Sequence, residues 1–254
     1  MDVYYPPNSP SDVKHPMLFF IYGGFFVSGA RVMDPPRDFA YKTVGSFFAT
    51  QGFITIIADY RLAPGAKFPQ PAEDVRDAML YAVQHVSEGD PNKLFILGHS
   101  AGAHHAATIL FEPSVLEPTG TQLLERIKGV TFFGGVLDFR NPGSAPPEIM
   151  NAYFGSVEAG AHNCAFSLLQ RTEPDSQVIA KLPPILILVS EKDPAGILAA
   201  NDEFVALLES KTGKKFPRLV AKGHNHISPH WALWSGKGHE WAEDVAAWFK
   251  TASN

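Results

Sequence analysis

The sequence predicts an α/β fold: a mostly parallel, doubly wound sheet with helices on both faces. Three observations point there. Six short apolar runs recur along the chain, each continuous instead of alternating, which is how strands buried on both faces of a parallel sheet read. Segments of helical period lie between them, the alternation that right-handed crossovers produce. A length of 254 residues, 45% hydrophobic and 19% charged, suits one domain over 1–254 with a sizeable core better than two small ones.

Taken in order, a turn over 12–16 leads into the first clear strand, 17–22 (MLFFIY). A helix over 39–51 and a strand at 53–58 (FITIIA) follow. The helix expected over 72–86 sets Val75, Met79, Ala82, Val83 and Val86 on one stripe, the face that packs on a sheet. Strand 94–98 (LFILG) runs into a helix at 101–111, and strand 130–133 (VTFF) comes next. Strand 185–190 (ILILVS), helix 202–211, strand 218–221 (RLVA) and helix 240–251 complete the pattern. The stretch 139–184 is longer than an ordinary crossover. It contains NPGSAPP and then Tyr153, Phe154, Phe166, Leu168 and Leu169, so it is expected to be a small lid-like insertion with some helix, forming part of a substrate wall.

Composition excludes several classes. A net charge of -5, with 21 basic against 26 acidic residues, argues against a nucleic-acid partner or a polybasic membrane anchor. ILILV at 185–189 is far too short to span a bilayer, so no stable membrane insertion is expected. No basic segment followed by an apolar one opens the chain, and a cytoplasmic location is expected. Cys164 is the only cysteine, which excludes an intramolecular disulfide and a Cys-based zinc site.

The chemistry concentrates at 98–102, Gly98-His99-Ser100-Ala101-Gly102, directly after LFIL and directly before AHHAATILF. In strand–turn–helix context this G-x-S-x-G pattern places a serine on a tight turn, with the helix N-terminus favouring developing negative charge beside it. The bland alternative is a structural strand–helix turn. A serine hydroxyl needs a base oriented by a carboxylate. Strand 185–190 ends in Glu191-Lys192-Asp193-Pro194, and strand 218–221 is followed by Lys222-Gly223-His224-Asn225-His226. The order serine, acid, histidine gives Ser100, Asp193 and His226 as the catalytic residues. Asp193 is preferred to Glu191 for its shorter side chain and the proline after it, and only one of His224 and His226 can face the serine. His224, His226 and His230 also have a spacing that suggests a metal, but no carboxylate or cysteine partner accompanies them, and neither metal nor organic cofactor is expected. Oxyanion donors are expected from the backbone N–H of Ala101 and from the glycine-rich loop after the first strand, Gly23-Gly24-Phe25 onward.

Together these residues resemble the α/β-hydrolase fold, in its carboxylesterase branch related to hormone-sensitive lipase and kynurenine formamidase. The matching pieces are YGGFFVSG at 22–29, DYRLAPGAKFPQPAEDV at 59–75, GHSAGAHHAA at 98–107, VSEKDP at 189–194 and GHNHIS at 223–228. The resemblance implies Ser100 as nucleophile, Asp193 as acid and His226 as base. It implies Gly24, Phe25 and Ala101 as oxyanion donors, with Gly23 permitting the turn. Tyr22 stands where the family usually has histidine, and Phe25-Phe26 where formamidase-like members carry tryptophan. MDVYYPP resembles the family's early strand; the strand or cap that usually precedes it is not seen, which predicts an open acyl pocket or a shortened chain.

The expected function is hydrolysis of carboxylic esters with small-to-medium acyl or aromatic groups through an acyl-enzyme, with Phe25, Phe26 and Phe154 contacting substrate. Arylformamidase, amidase and lactonase activity are the alternatives within the fold, and a non-catalytic small-molecule binder is the alternative outside it. The expected partner is a small-molecule ester or amide. A homodimer contact through the terminal helix is allowed by the pattern and required by nothing in it.

Overall fold

Every apolar run named above lies in or overlaps a strand, because each is long enough only for a strand and lacks a polar face. The structure is a computed structural model that describes residues 1–7, 13–117, 119, 122–141 and 143–252. In chain order the first half holds β1 (Asp2–Tyr4), β2 (His15–Ile21), α1 (Ala40–Thr50), β3 (Ile54–Ile57), α2 (Gln70–His85), β4 (Gly89–His99), α3 (Ala101–Phe111), α4 (Pro113–Leu116) and α5 (Gln122–Arg126). The second half holds β5 (Ile127–Phe133), α6 (Pro147–Phe154), α7 (Val157–Asn163), α8 (Ala165–Arg171), α9 (Gln177–Ala180), β6 (Ile185–Lys192), α10 (Ala195–Thr212), β7 (Arg218–Asn225), α11 (Ser228–Ala232) and α12 (Glu240–Ala252).

The strands form one sheet in the order β1-β3-β2-β4-β5-β6-β7, with β1 antiparallel to β3 and the other pairings parallel. Side chains alternate across the sheet, so neighbouring residues of one strand report its two faces. Phe132 of β5 meets Phe204 of α10 edge-on at 5.5 Å, whereas Phe133 meets Trp241 of α12 at 5.0 Å. Helices therefore cover both faces, as a doubly wound sheet requires. The α2 stripe is buried at Val75, Met79 and Ala82, with Val83 packed at its margin.

Several boundaries differ from expectation. β2 already begins at His15, so the turn expected at 12–16 is shorter; Asp12 itself lies outside the described residues. α10 begins seven residues before the expected 202, directly after Pro194. Its first two turns bury little, and without a buried stripe they carried no helical signal; Asn201 is the first residue of α10 to be fully buried. The stretch 139–184 contains four helices, α6 to α9.

The topology fixes where chemistry can occur. Ser100 follows β4, Asp193 follows β6, and His226 follows β7, all at the carboxyl ends of parallel strands. That rim is where an open α/β sheet binds its ligands.

Candidate active site

Ser100 occupies a left-handed conformation, with φ 55° and ψ −118°, between β4 and α3. A non-glycine residue held there costs roughly 1–3 kcal/mol and persists only if its surroundings fix it. They do: its N–H donates to the Phe133 carbonyl at 2.9 Å, and its own carbonyl accepts from Ala103 at 3.1 Å. The close packing of α3 against β2 demands glycine at 102, where an added Cβ would lie 2.0 Å from the Ile21 carbonyl oxygen. Glycine at 23 is demanded likewise, since a Cβ there would lie 2.7 Å from that of Ser100.

The structure brings Ser100, His226 and Asp193 into one hydrogen-bonded chain. His226 Nε2 is 3.0 Å from Ser100 Oγ, and His226 Nδ1 is 2.7 Å from Asp193 Oδ1. A carboxylate only accepts, so Nδ1–H donates to Asp193 and Nε2 accepts from the serine hydroxyl. The other carboxylate oxygen, Oδ2, accepts the Ser190 N–H at 2.7 Å, and the Asp193 side chain is fully buried. Glu191 is instead exposed and accepts from the Gly223 N–H at 2.8 Å, bracing the β7 end that leads to His226.

The remaining histidines go elsewhere. His224 bonds Ser228 Oγ at 3.0 Å and the Gly238 carbonyl at 2.7 Å, closing its own loop. His230 is buried against Phe20, Phe133 and Trp241, and neither ring nitrogen has a hydrogen-bond partner among the described residues. Burial, with the nearby His226 and His224, pushes it down to about 3. The three histidines of the metal-like spacing thus serve three separate environments. His99 lies beneath His226, its Nε2 2.9 Å from the His226 carbonyl oxygen. A carbonyl only accepts, so Nε2 carries the proton, and burial keeps the ring neutral by driving its pKa well below the usual value. His104 and His105 are both buried on α3. Cys164 is also buried and donates weakly to Asp138 Oδ1 at 3.7 Å, the carboxylate that pairs with Arg140.

Tyr22 anchors the loop after β2 from an unexpected direction. Its ring is buried between Tyr41 and Tyr60, and its hydroxyl donates to Asp59 Oδ1 at 3.0 Å. The same oxygen accepts the Arg31 N–H at 2.6 Å, and the Arg31 guanidinium also pairs with Asp59 and with Asp2. Burial opposes ionisation of Asp59, but these donors and the Arg31 charge hold its carboxyl below the usual range. The Gly24 carbonyl accepts from the Val27 and Ser28 N–H groups at 3.3 and 3.0 Å, closing the tight turn that carries Phe25 and Phe26.

A cavity of about 770 Å³ opens above Ser100 and His226. Phe25, at φ 54°, lines it together with Gly23, Gly24, Val136 and Ile197. Phe26 and Phe154, expected to touch substrate, are not among the residues that line this cavity. Phe26 is 1% exposed and stacks on Tyr153 with ring centroids 4.1 Å apart, and Phe154 meets it edge-on at 5.7 Å. Nor does any described residue of the 139–184 segment line the cavity; the wall comes from the loop between β2 and α1. Aromatic residues in a long connection read alike whether they line a cavity or fill a core, and here they fill the core behind the loop. Sequence reasoning missed Arg37 and Tyr41, which line the cavity from that loop and from α1. They stand in a stretch that offered no motif.

Comparison with known proteins places this arrangement in a family. The profile of the BD-FAE family matches residues 1–206, a span that includes Ser100 and Asp193 and stops short of His226. The chain is 27% identical over 239 residues to the probable isoprenylcysteine alpha-carbonyl methylesterase ICME of Oryza sativa subsp. japonica, covering 89% of this chain and 54% of that protein. It is 26% identical over 212 residues to the esterase LipQ of Mycobacterium tuberculosis, covering 82% and 49%. The chain thus spans about half the length of these curated relatives. An esterase from Pyrobaculum calidifontis superposes with a TM-score of 0.73 at 21% identity, covering 99% of this chain and 80% of that one. With the sheet order and the strand-end loops described above, the chain belongs to the BD-FAE family and has the α/β-hydrolase fold.

Proposed function

We propose that the protein hydrolyses carboxylic esters through an acyl-enzyme, with Ser100 as nucleophile, His226 as base and Asp193 as the orienting carboxylate. The observation that carries the reading is the unbroken Asp193–His226–Ser100 chain on a strained turn at the floor of the cavity. Two relatives of the chain named as esterases support the same class. His226 Nε2 takes the hydroxyl proton as Ser100 Oγ attacks the ester carbonyl carbon. Asp193 faces the imidazolium that results, and the buried carboxylate stabilises it. The imidazolium then protonates the leaving alkoxide, and water repeats the sequence to release the acid and restore Ser100.

The backbone N–H groups of Gly24, Phe25 and Ala101 are assigned to the oxyanion, and loss of one such donor typically costs ~10²–10³ in turnover. Phe25, Val136 and Ile197 favour a small-to-medium acyl or aromatic group in the cavity. Among the described residues no helix is long and apolar enough to cross a membrane.

The test is hydrolysis of 4-nitrophenyl acetate and butyrate by the wild type and by Ser100→Ala. The expected result is a mutant rate at buffer background. Equal rates in the two proteins would refute the assignment, and a preference for long acyl chains would refute the pocket size.

A further inference from the structure

Arg37 and Tyr41 line the cavity, and among the described residues no hydrogen bond or ion pair holds either polar end. Arg37 is exposed and makes no ion pair among the described residues, whereas Arg31, Arg61, Arg76 and Arg140 each hold a carboxylate. Tyr41 stands four residues further, in the first turn of α1, and its ring is 8% exposed, packed between Phe20 and Tyr22. Among the described residues no hydrogen bond reaches its hydroxyl; the residue lines the cavity, so the O–H is free to donate to a ligand there. Burial also pushes the phenol up to about 12, so it remains an O–H donor at neutral pH.

The two groups line the same cavity, Arg37 from the turn that enters α1, where its carbonyl accepts the Ala40 N–H at 3.1 Å, and Tyr41 from the first turn of the helix. A guanidinium and a phenol O–H lining one cavity offer donors and positive charge, the complement of a carboxylate. Val32 and Met33 flank them, and apolar neighbours strengthen the attraction. Among the described residues Asp34 is the one opposing charge on this wall; it lies three residues before Arg37, and its backbone carbonyl accepts the Arg37 N–H at 2.9 Å.

We propose that Arg37 and Tyr41 form an anion subsite that selects esters carrying a carboxylate on the acyl or the alcohol half. The proposal rests on reading this cavity as an ester-hydrolysing site. Arg37 supplies the charge and the paired donors, Tyr41 adds one directed donor, and Asp34 limits the affinity.

The experiment compares kcat/KM for monomethyl adipate with methyl hexanoate, and for 4-acetoxybenzoate with phenyl acetate. In the wild type at least one anionic ester is preferred to its neutral partner. Arg37→Gln lowers that anionic-to-neutral ratio about tenfold, mainly through KM, as loss of a charge-assisted hydrogen bond does. Tyr41→Phe, which keeps the ring stack, lowers it about threefold. Asp34→Asn raises it. Lys42→Gln removes the same charge outside the cavity, from a lysine paired with Asp38, and leaves the ratio in place.

An unchanged ratio in Arg37→Gln overturns the subsite, and so does an equal fall in Lys42→Gln, which would mean a diffuse field. If the wild type hydrolyses no ester, the underlying reading fails separately. Calorimetric binding of monomethyl adipate to Ser100→Ala, with and without Arg37→Gln, then decides the subsite: binding weakened by the second substitution supports it, and no binding or equal binding overturns it.

Discussion

Replacing Asp193 by asparagine changes almost no volume, yet it sets two buried hydrogen bonds in conflict. Oδ1 accepts from His226 Nδ1 and Oδ2 accepts from the Ser190 N–H, each at 2.7 Å, and the side chain is fully buried. An amide has one acceptor and one donor end. If its oxygen faces His226, its NH₂ group meets the Ser190 N–H, donor against donor. If its oxygen faces Ser190, its NH₂ group meets Nδ1, which must then accept. The imidazole proton moves to Nε2, and Ser100 Oγ faces a donor where it needs a lone pair. Losing a charge-assisted hydrogen bond costs about 1.5–3 kcal/mol, and losing the carboxylate opposite the imidazolium costs a similar amount. The sum of about 3–6 kcal/mol corresponds to a fall in kcat of roughly 10²–10⁴. The assay is 4-nitrophenyl acetate hydrolysis, with thermal unfolding to show that the variant is folded. Glu191→Gln is the comparison, since Glu191 reaches only the exposed Gly223 N–H, and it costs less than about tenfold. An Asp193→Asn enzyme within tenfold of wild type, with Glu191→Gln severely impaired, would refute the assignment.

Two more predictions concern the buried histidines. His99→Phe removes the donor to the His226 carbonyl and lowers kcat about tenfold with little change in KM, whereas His99→Gln, which retains a donor, stays within about threefold; equal kcat in the two variants would dismiss the role. His230 is held at about 3 and His104 at about 4, both chiefly by burial. The unfolded chain titrates near the ordinary value of about 6.5 and so binds more protons than the folded one below it. Stability is therefore full above about pH 6.5 and falls as the pH drops towards the folded values, by up to about 1.4 kcal/mol per pH unit for each ring. His230→Phe, in a nest of Phe20, Phe133 and Trp241, flattens that slope, and urea unfolding at pH 7 and pH 5 measures it; an unchanged slope would sink the linkage.

The sheet was legible because parallel strands buried on both sides leave continuous apolar runs, as in 94–98 and 185–190, whose residues are almost all buried. β1 left no such trace: three half-buried residues, Asp2 to Tyr4, give neither alternation nor a run, and only family resemblance suggested it. Ser100 could be read from its strand–turn–helix setting, and His226 and Asp193 from strand ends in the right order. Side-chain direction after β2 could not be read. Phe25 and Phe26 both adopt left-handed backbone, φ 54° and 70°, and neither strand nor helix periodicity says where such residues point. One lines the cavity and the other seals the core. The partner of His99 was invisible for a related reason, because its acceptor is a backbone carbonyl 127 residues away.

That loop joins two tasks that a separate lid would divide. Gly23 to Phe25 pass beside Ser100, and the same connection, continuing through Val27, Met33 and Arg37, builds the cavity wall. It is tied down by Asp59, which accepts from Tyr22 at one end of the loop and from Arg31 further along. A change in the wall therefore reaches the proposed oxyanion donors through a short, shared stretch of backbone. Substitutions that shift this backbone should move kcat together with KM, whereas a side-chain change that leaves the backbone in place, as in Arg37→Gln, acts mainly through KM. The aromatic packing of Tyr153 against Phe26 gives that longer segment a different task, which is to hold the loop from behind. Weakening this contact loosens the donors without touching substrate, so its signature is a lower kcat at constant KM.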